Sequence, residues 1–236
     1  MNRVAVISDV HGNLPALEAV LAEPDVASAD LVVSAGDAVA GPMPVACFDA
    51  LAALGERIRF VRGNADREVV ARNPEHGCDW AADRLGEERL ARMAEWPLTV
   101  TVEVDGLGRL LVCHAVPSDD NEIVTRITPE AEFAEAFAGV EADVVVCGHT
   151  HIQFDRPAGP VRVVNAGSVG SPYEGTRGAF WILLGPGVER RRTEYDVEAA
   201  AATLRGTDGP TADQVAGWLL DPPDPDEISA FFERAR

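Results

Sequence analysis

Four of the five histidines in this chain sit in short polar motifs that each follow an apolar run. Val4-Ala5-Val6-Ile7 leads into Ser8-Asp9-Val10-His11-Gly12-Asn13, and Leu31-Val32-Val33-Ser34 into Ala35-Gly36-Asp37. Phe60-Val61-Arg62 leads into Gly63-Asn64-Ala65-Asp66, Leu110-Leu111-Val112-Cys113 into His114, and Val144-Val145-Val146-Cys147 into Gly148-His149-Thr150-His151. Carboxylates, imidazoles and an amide oxygen form a donor set suited to first-row transition metals. Asp9, His11, Asp37, Asn64, His114, His149 and His151 are too many ligands for one ion and about enough for two. Taken singly the motifs say less: Asp9 could cap a helix, and Gly63-Asn64 is an ordinary turn signal. Their joint order and shared context point to metal binding. His76, in the turn-rich stretch Asn73-Pro74-Glu75-His76-Gly77 with no strand before it, reads as a surface loop residue.

For seven side chains to meet, the elements before them must end at one place. Short Val-rich runs read as strands buried on both faces. Residues just past the carboxyl ends of such strands line one edge of an open α/β sheet, where ligands bind.

The ordered set resembles the calcineurin-like metallophosphoesterase superfamily, whose pattern runs Asp-x-His, Gly-Asp, Gly-Asn, His, Gly-His-x-His. The likeness extends over about residues 1–185, and the small bacterial and archaeal phosphoesterases are the most similar branch. Asn165-Ala166-Gly167-Ser168-Val169-Gly170-Ser171-Pro172 is similar to that branch's Asn-Pro-Gly-Ser-Val motif, and structural support is its expected job. The resemblance implies a four-layer α/β/β/α sandwich of two mixed sheets, where the residue pattern alone gives mixed α/β. It also implies two divalent transition-metal ions, manganese first, with iron, zinc, nickel or cobalt as alternatives. Asp9, His11 and His151 would hold one ion, Asn64, His114 and His149 the other, and Asp37 would bridge them. An anionic bridge is what two cations about 3.5 Å apart require. The implied chemistry is attack on phosphorus by a metal-bridging hydroxide, with Asp9, Asp37, Asn64, Asp66 and His114 as catalytic residues.

One position departs from the wider family. Many members carry a histidine directly after Gly-Asn, read as the acid that protonates the leaving oxygen; here it is Ala65, followed by Asp66. Alanine transfers no proton, and such help is typically worth about 10² to 10⁴ in rate. The expected substrates are therefore small phosphate esters with stable leaving groups, diesters or nucleotides. Phosphomonoester or phosphoprotein hydrolysis stays open, as does a weakly active metal-binding regulator.

Composition narrows the partners. All 20 basic residues are arginines, set against 39 acids for a formal charge of −19. Duplex binding rests on basic side chains neutralising many phosphates, so long nucleic acid is not an expected substrate. The densest basic cluster, Glu189-Arg190-Arg191-Arg192, reads as a solvated strand edge or turn. No apolar run approaches 18 residues, so no membrane span is expected. Met1-Asn2-Arg3 runs straight into the first strand, and none of Cys47, Cys78, Cys113 and Cys147 forms a C-x-x-C pair. No leader and a reduced, cytoplasmic protein are the expectations.

One domain spanning 1–236 is expected, with a core of about 1–195 and a helical tail over 196–236. Helices are predicted over 14–23, capped by Asn13 with Pro15 in the first turn, and over 43–54 and 86–96. A hairpin is predicted from 98–104 and 109–113 across Asp105-Gly106, with later strands at 161–164, 178–184 and 188–195. In the tail, 197–204, 211–220 and 227–234 read as helices, and the proline-rich 221–226 as non-helical. The tail is expected to pack on the sandwich or to serve a homo-oligomer contact.

Overall fold

The computed structural model describes residues 1–236. In chain order its strands are β1 (Val4–Ile7), β2 (Leu31–Ala35), β3 (Ile58–Val61), β4 (Thr99–Val104), β5 (Gly108–Cys113), β6 (Val144–Cys147), β7 (Phe154–Ala158), β8 (Val161–Asn165), β9 (Ala179–Leu184) and β10 (Val188–Thr193). Its helices are α1 (Leu14–Leu21), α2 (Pro24–Ala27), α3 (Pro44–Ala52), α4 (Asn64–Val70), α5 (Cys78–Ala94), α6 (Glu130–Ala136), α7 (Val197–Arg205), α8 (Ala212–Leu220) and α9 (Pro225–Ala235).

The strands form two five-stranded sheets, ordered β10-β9-β1-β2-β3 and β4-β5-β6-β8-β7. In the first, β1, β2 and β3 run parallel while β9 and β10 are antiparallel. In the second, β5, β6 and β8 are parallel, flanked by antiparallel β4 and β7. Side-chain alternation builds the layers. Val4 and Val6 point between the sheets, where they join Val33, Val112, Val146 and Ile182 in one buried cluster. Ala5 and Ile7 point the other way, under Leu17, Phe48 and Leu51 of α1 and α3. On the outer face of the second sheet, Val145 and Val163 meet Phe133 and Phe137 at α6. Both faces of each sheet are thereby covered, the four-layer arrangement the fold requires.

Most predicted elements stand within a residue or two. Asn13 caps α1 by accepting from the Ala16 amide at 3.2 Å, with Pro15 in the first turn. The differences have local causes. Pro157 hides strand β7 from the sequence pattern; an edge strand tolerates proline because a ladder bond is needed on one side only. Helix α5 starts at Cys78, ahead of the expected position 86, and Gly86 interrupts it with φ 73°. Helix α9 begins at Pro225, not at 227, because proline is accepted in a first helical turn and the Asp224 carboxylate caps the amides of Asp226 and Glu227. Helices α2, α4 and α6 carry too little periodicity to be read from sequence.

Glu189–Arg192 lies in β10, an edge strand, with Arg191 paired to Asp25 and Glu189 and Arg192 to Glu194. The tail packs on the sandwich: α7 and α8 bury Ala200, Leu204, Val215 and Leu219 against each other and partly cover Met43. No helix is long and apolar enough to cross a membrane.

Candidate metal centre

All five metal motifs sit at the carboxyl ends of parallel strands. Asp9 and His11 follow β1, Asp37 follows β2 and Asn64 follows β3, while His114 follows β5 and His149 and His151 follow β6. Two of the motif glycines show why close approach dictates them. A Cβ on Gly63 would overlap Asp37 Oδ1, and one on Gly148 would overlap Ser8 Oγ.

Seven non-glycine residues have positive φ, and five of them are motif residues: Asp9 (54°), His11 (46°), Asp37 (52°), His149 (68°) and His151 (58°). This region costs an L-residue on the order of 1–3 kcal/mol and persists only where surroundings enforce it. The enforcement is visible. The amides of Asp9 and His11 donate to the carbonyls of Gly36 and Asp37, and those of Val169 and Gly170 to the carbonyls of Ser8 and Asp9. Ser168 Oγ also donates to Asp9 O at 2.7 Å, and Asn165 Nδ2 to Gly148 O at 2.6 Å. The Asn165–Pro172 stretch is thus a buttress, as its sequence suggests.

Three histidines have their tautomer set by a carbonyl. The Nδ1–H groups of His11, His114 and His151 donate to Ala40 O (3.2 Å), Ala35 O (2.8 Å) and Ser171 O (2.6 Å). The Nε2 atoms of His11 and His151 are left as bare acceptors, the usual preparation of a metal-binding imidazole. His11 Nε2 and His151 Nε2 lie 3.1 Å apart, and His151 Nε2 lies 3.1 Å from Asp9 Oδ1. Asp9 Oδ1 is buried without any hydrogen-bond partner. On the other side, His114 Nε2 lies 3.0 Å from Asn64 Oδ1 and 3.4 Å from Asp37 Oδ2. Asp37 Oδ2 is also 3.7 Å from His11 Nε2, so it stands between the two groups. In the Asp9–His11–His151 group acceptors face acceptors, and a buried site of that kind calls for a cation. Nitrogens about 3 Å apart also suit one ion with bonds of about 2.1 Å.

His149 is placed differently. Its backbone N–H donates to Asp9 Oδ2 at 3.0 Å, and its ring sits edge-on to His114 with centroids 5.0 Å apart. Burial, then the neighbouring His114 charge, lowers its pKa to about 4, which keeps the ring neutral. Burial opposes ionisation of Asp37, yet His114 and His11 hold its carboxyl well below the carboxylate range. His114 itself rises to about 10: burial opposes its charge, but Asp37 and Asp9 outweigh it.

Asp66, expected among the catalytic residues, faces the backbone. Its buried carboxylate accepts from three backbone amides, those of Asp37 (2.8 Å), Ala38 (3.0 Å) and Gly63 (3.1 Å). Burial and then Asp37 push its pKa up to about 7, but its oxygens are spent on the loops that carry Asp37 and Asn64. It ties the loop that carries Asp37 to the one that carries Asn64. Ala65 offers its amide to Asp37 Oδ1 at 2.8 Å. His76 is exposed in a short 3-10 turn, apart from this cluster.

Sequence reasoning missed two sets of neighbours. Arg62 and Arg67, either side of Asn64, share the carboxylate of Asp120 at 3.0 and 3.2 Å. Tyr173 stacks on the His151 ring at 4.6 Å, and Trp218 of α8 meets Tyr173 edge-on at 5.5 Å. Neither set carries a motif; only the tyrosine's place just after the Gly-Ser stretch hinted at the site.

The sequence model of the calcineurin-like phosphoesterase superfamily domain matches residues 2–184. The chain belongs to this superfamily. As a calcineurin-like phosphoesterase it is a hydrolase acting on ester bonds, in a family whose members typically bind divalent metal ions. It is 27% identical to an uncharacterised protein of Methanocaldococcus jannaschii, over 84% of this chain and 89% of that one. A metallophosphoesterase from Sphaerobacter thermophilus superposes with a TM-score of 0.76 at 26% identity, covering 93% of this chain and 98% of its own. A hypothetical protein from Pyrococcus horikoshii shares the fold, with a TM-score of 0.80 at 18% identity over 95% and 100% of the two chains. The small bacterial and archaeal metallophosphoesterases are therefore the branch that this calcineurin-like phosphoesterase resembles in structure.

Proposed function

We propose that this chain is a dinuclear metallophosphoesterase that hydrolyses small phosphate esters, diesters and nucleotides in preference to simple alkyl monoesters. One observation carries the reading: two groups of metal-ligating side chains, Asp9–His11–His151 and Asn64–His114, meet at Asp37 Oδ2. Asp9, His11 and His151 would hold the first ion, and Asn64, His114 and His149 the second, with Asp37 between them. Imidazole and carboxylate in this mixture suit divalent first-row transition metals, and the superfamily resemblance puts Mn²⁺ first, with Fe, Zn, Ni or Co as alternatives. When bound, such an ion pair lowers the pKa of water toward neutrality and neutralises charge on phosphoryl oxygens.

The protein's own part is positional. Carbonyls of Ala40, Ala35 and Ser171 orient the imidazoles, and the Ala65 amide fixes the Asp37 carboxylate. No proton donor stands after Asn64, because Ala65 has none and Asp66 is sealed on amides. Leaving groups that depart as stable anions are therefore favoured. The ion pairs that consume Arg191 and Arg192 support exclusion of long nucleic acid, since they offer phosphates little free positive charge.

The test is a substrate panel with Mn²⁺: bis-4-nitrophenyl phosphate, 4-nitrophenyl phosphate, a mononucleotide and an alkyl phosphate. Turnover of the nitrophenyl diester well above that of the alkyl ester is expected. Faster hydrolysis of the alkyl monoester would overturn the preference, and no turnover of any ester would favour a metal-binding regulator.

A further inference from the structure

His151 is held from two directions by one loop. Its Nδ1–H donates to Ser171 O at 2.6 Å, and its ring lies against Tyr173, 4.6 Å between centroids and 20° from parallel. The Tyr173 amide also donates to His151 O at 3.2 Å. The same loop is held in turn by the C-terminal tail. Trp218 packs edge-on against Tyr173 at 87°, a favourable aromatic geometry. The Gly175 amide donates to Pro223 O at 3.0 Å, and Arg177 places Nε and Nη2 on Leu220 O at 3.0 and 2.6 Å. Leu220 is the last residue of α8, where unpaired carbonyls and the helix dipole favour a guanidinium. These tail residues lie beyond the 2–184 span of the superfamily domain. By contrast, His114 takes its hold from Ala35, inside the sandwich.

We infer that the tail is a positioning element for one of the two metal sites. Trp218 acting through Tyr173, and α8 acting through Arg177, fix the ring of His151. They thereby set the affinity of the Asp9–His11–His151 site and leave the Asn64–His114–His149 site alone. The inference rests on the dinuclear reading above. It makes physical sense of a strained ligand: with φ at 58°, His151 keeps its orientation only if its surroundings hold it. Loss of a ligand's outer partner typically weakens a metal site about 10- to 100-fold.

The experiment titrates Mn²⁺ into the chelator-stripped full chain, followed by calorimetry and electron paramagnetic resonance. The parent should take up two ions and give an exchange-coupled dinuclear spectrum. Trp218→Ala should weaken one site by about 10- to 100-fold, showing a mononuclear spectrum where the parent is filled. Its metal-free melting transition and circular dichroism should stay intact, and Trp218→Phe should restore parental binding. Should Trp218→Ala fail to fold, Arg177→Ala, which removes the grip on Leu220 and the ion pair with Glu198 of α7, should give the same one-site loss. Parental affinity at both sites in the folded variant, or equal weakening of both, overturns the inference. A parent that binds no Mn²⁺ overturns the dinuclear reading itself.

Discussion

His11 Nε2 and His151 Nε2 face each other at 3.1 Å, each left as a bare acceptor because its Nδ1–H is spent on a backbone carbonyl. Two lone pairs at that distance repel, and Asp9 Oδ1 adds a negative charge 3.1 Å from one of them. The fold holds this arrangement with five motif residues at positive φ. A cation relieves both repulsions at once, and this is why the site is read as a metal centre.

Asp37 Oδ2 joins the two ligand groups, 3.7 Å from His11 Nε2 and 3.4 Å from His114 Nε2. Asp37→Ala is expected to lose both ions and all hydrolysis, since nothing then screens one cation from the other. Elemental analysis finding two metals per chain in that variant would contradict the bridge. His76→Ala, on the exposed turn, should keep metal content and a rate within about threefold of the parent.

Metal binding should release a proton from His114. Its pKa in the metal-free fold is about 10, against an ordinary 6.5, because Asp37 and Asp9 outweigh burial. With Nδ1–H on Ala35 O, the extra proton occupies the Nε2 position that a metal needs. The stability this proton gives the metal-free fold is complete below about 6.5 and fades as pH rises through about 10. Metal affinity should run the opposite way, rising about tenfold per pH unit across that window for one proton displaced. Calorimetry at pH 8 in buffers of different ionisation heat measures the release; none at all would contradict the assignment.

Asp66→Ala should destabilise the fold by on the order of 3 kcal/mol or more, because it strands three buried amides at once. Asp66→Asn, which keeps one acceptor oxygen, should lose less. Denaturant midpoints check this, with metal content falling in step as the Asp37 and Asn64 loops loosen. Unchanged stability and metal content, with activity lost only on poor leaving groups, would instead make Asp66 a proton donor.

The sandwich and its ligand edge were legible because buried strands advertise themselves. Val4–Ile7 and Val144–Cys147 are uninterrupted apolar runs, and a polar residue directly after each run has one place to go. The division of labour within the third motif was not legible in that way. Asn64 and Asp66 stand two apart, yet one faces the ligand groups and the other the loop amides. That choice depends on α4 starting at Asn64, a turn of chain the Gly-Asn signal does not specify. The tail's contact with the site was beyond reach too. Trp218 meets Tyr173 across 45 positions of sequence, through a packing geometry no local pattern encodes.

With Ala65 inert and Asp66 sealed, the rate should depend steeply on leaving-group pKa across a series of aryl and alkyl esters. Nitrophenolate departs unaided, whereas an alkoxide needs a proton. Ala65→His should accelerate alkyl esters selectively, by up to about 10²-fold where the ring reaches the leaving oxygen. A flat dependence in the parent enzyme would mean that another group already supplies the proton.

The central claim is that two ions, held by these seven side chains, make the hydrolytic site. Its most direct test is to strip the chain with a chelator, add back Mn²⁺ in steps, and record bound metal and bis-4-nitrophenyl phosphate hydrolysis on the same samples. Hydrolysis should be absent in the stripped protein and should return as occupancy approaches two ions per chain. Full activity in the stripped protein, or maximal activity with a single ion bound, would contradict the account.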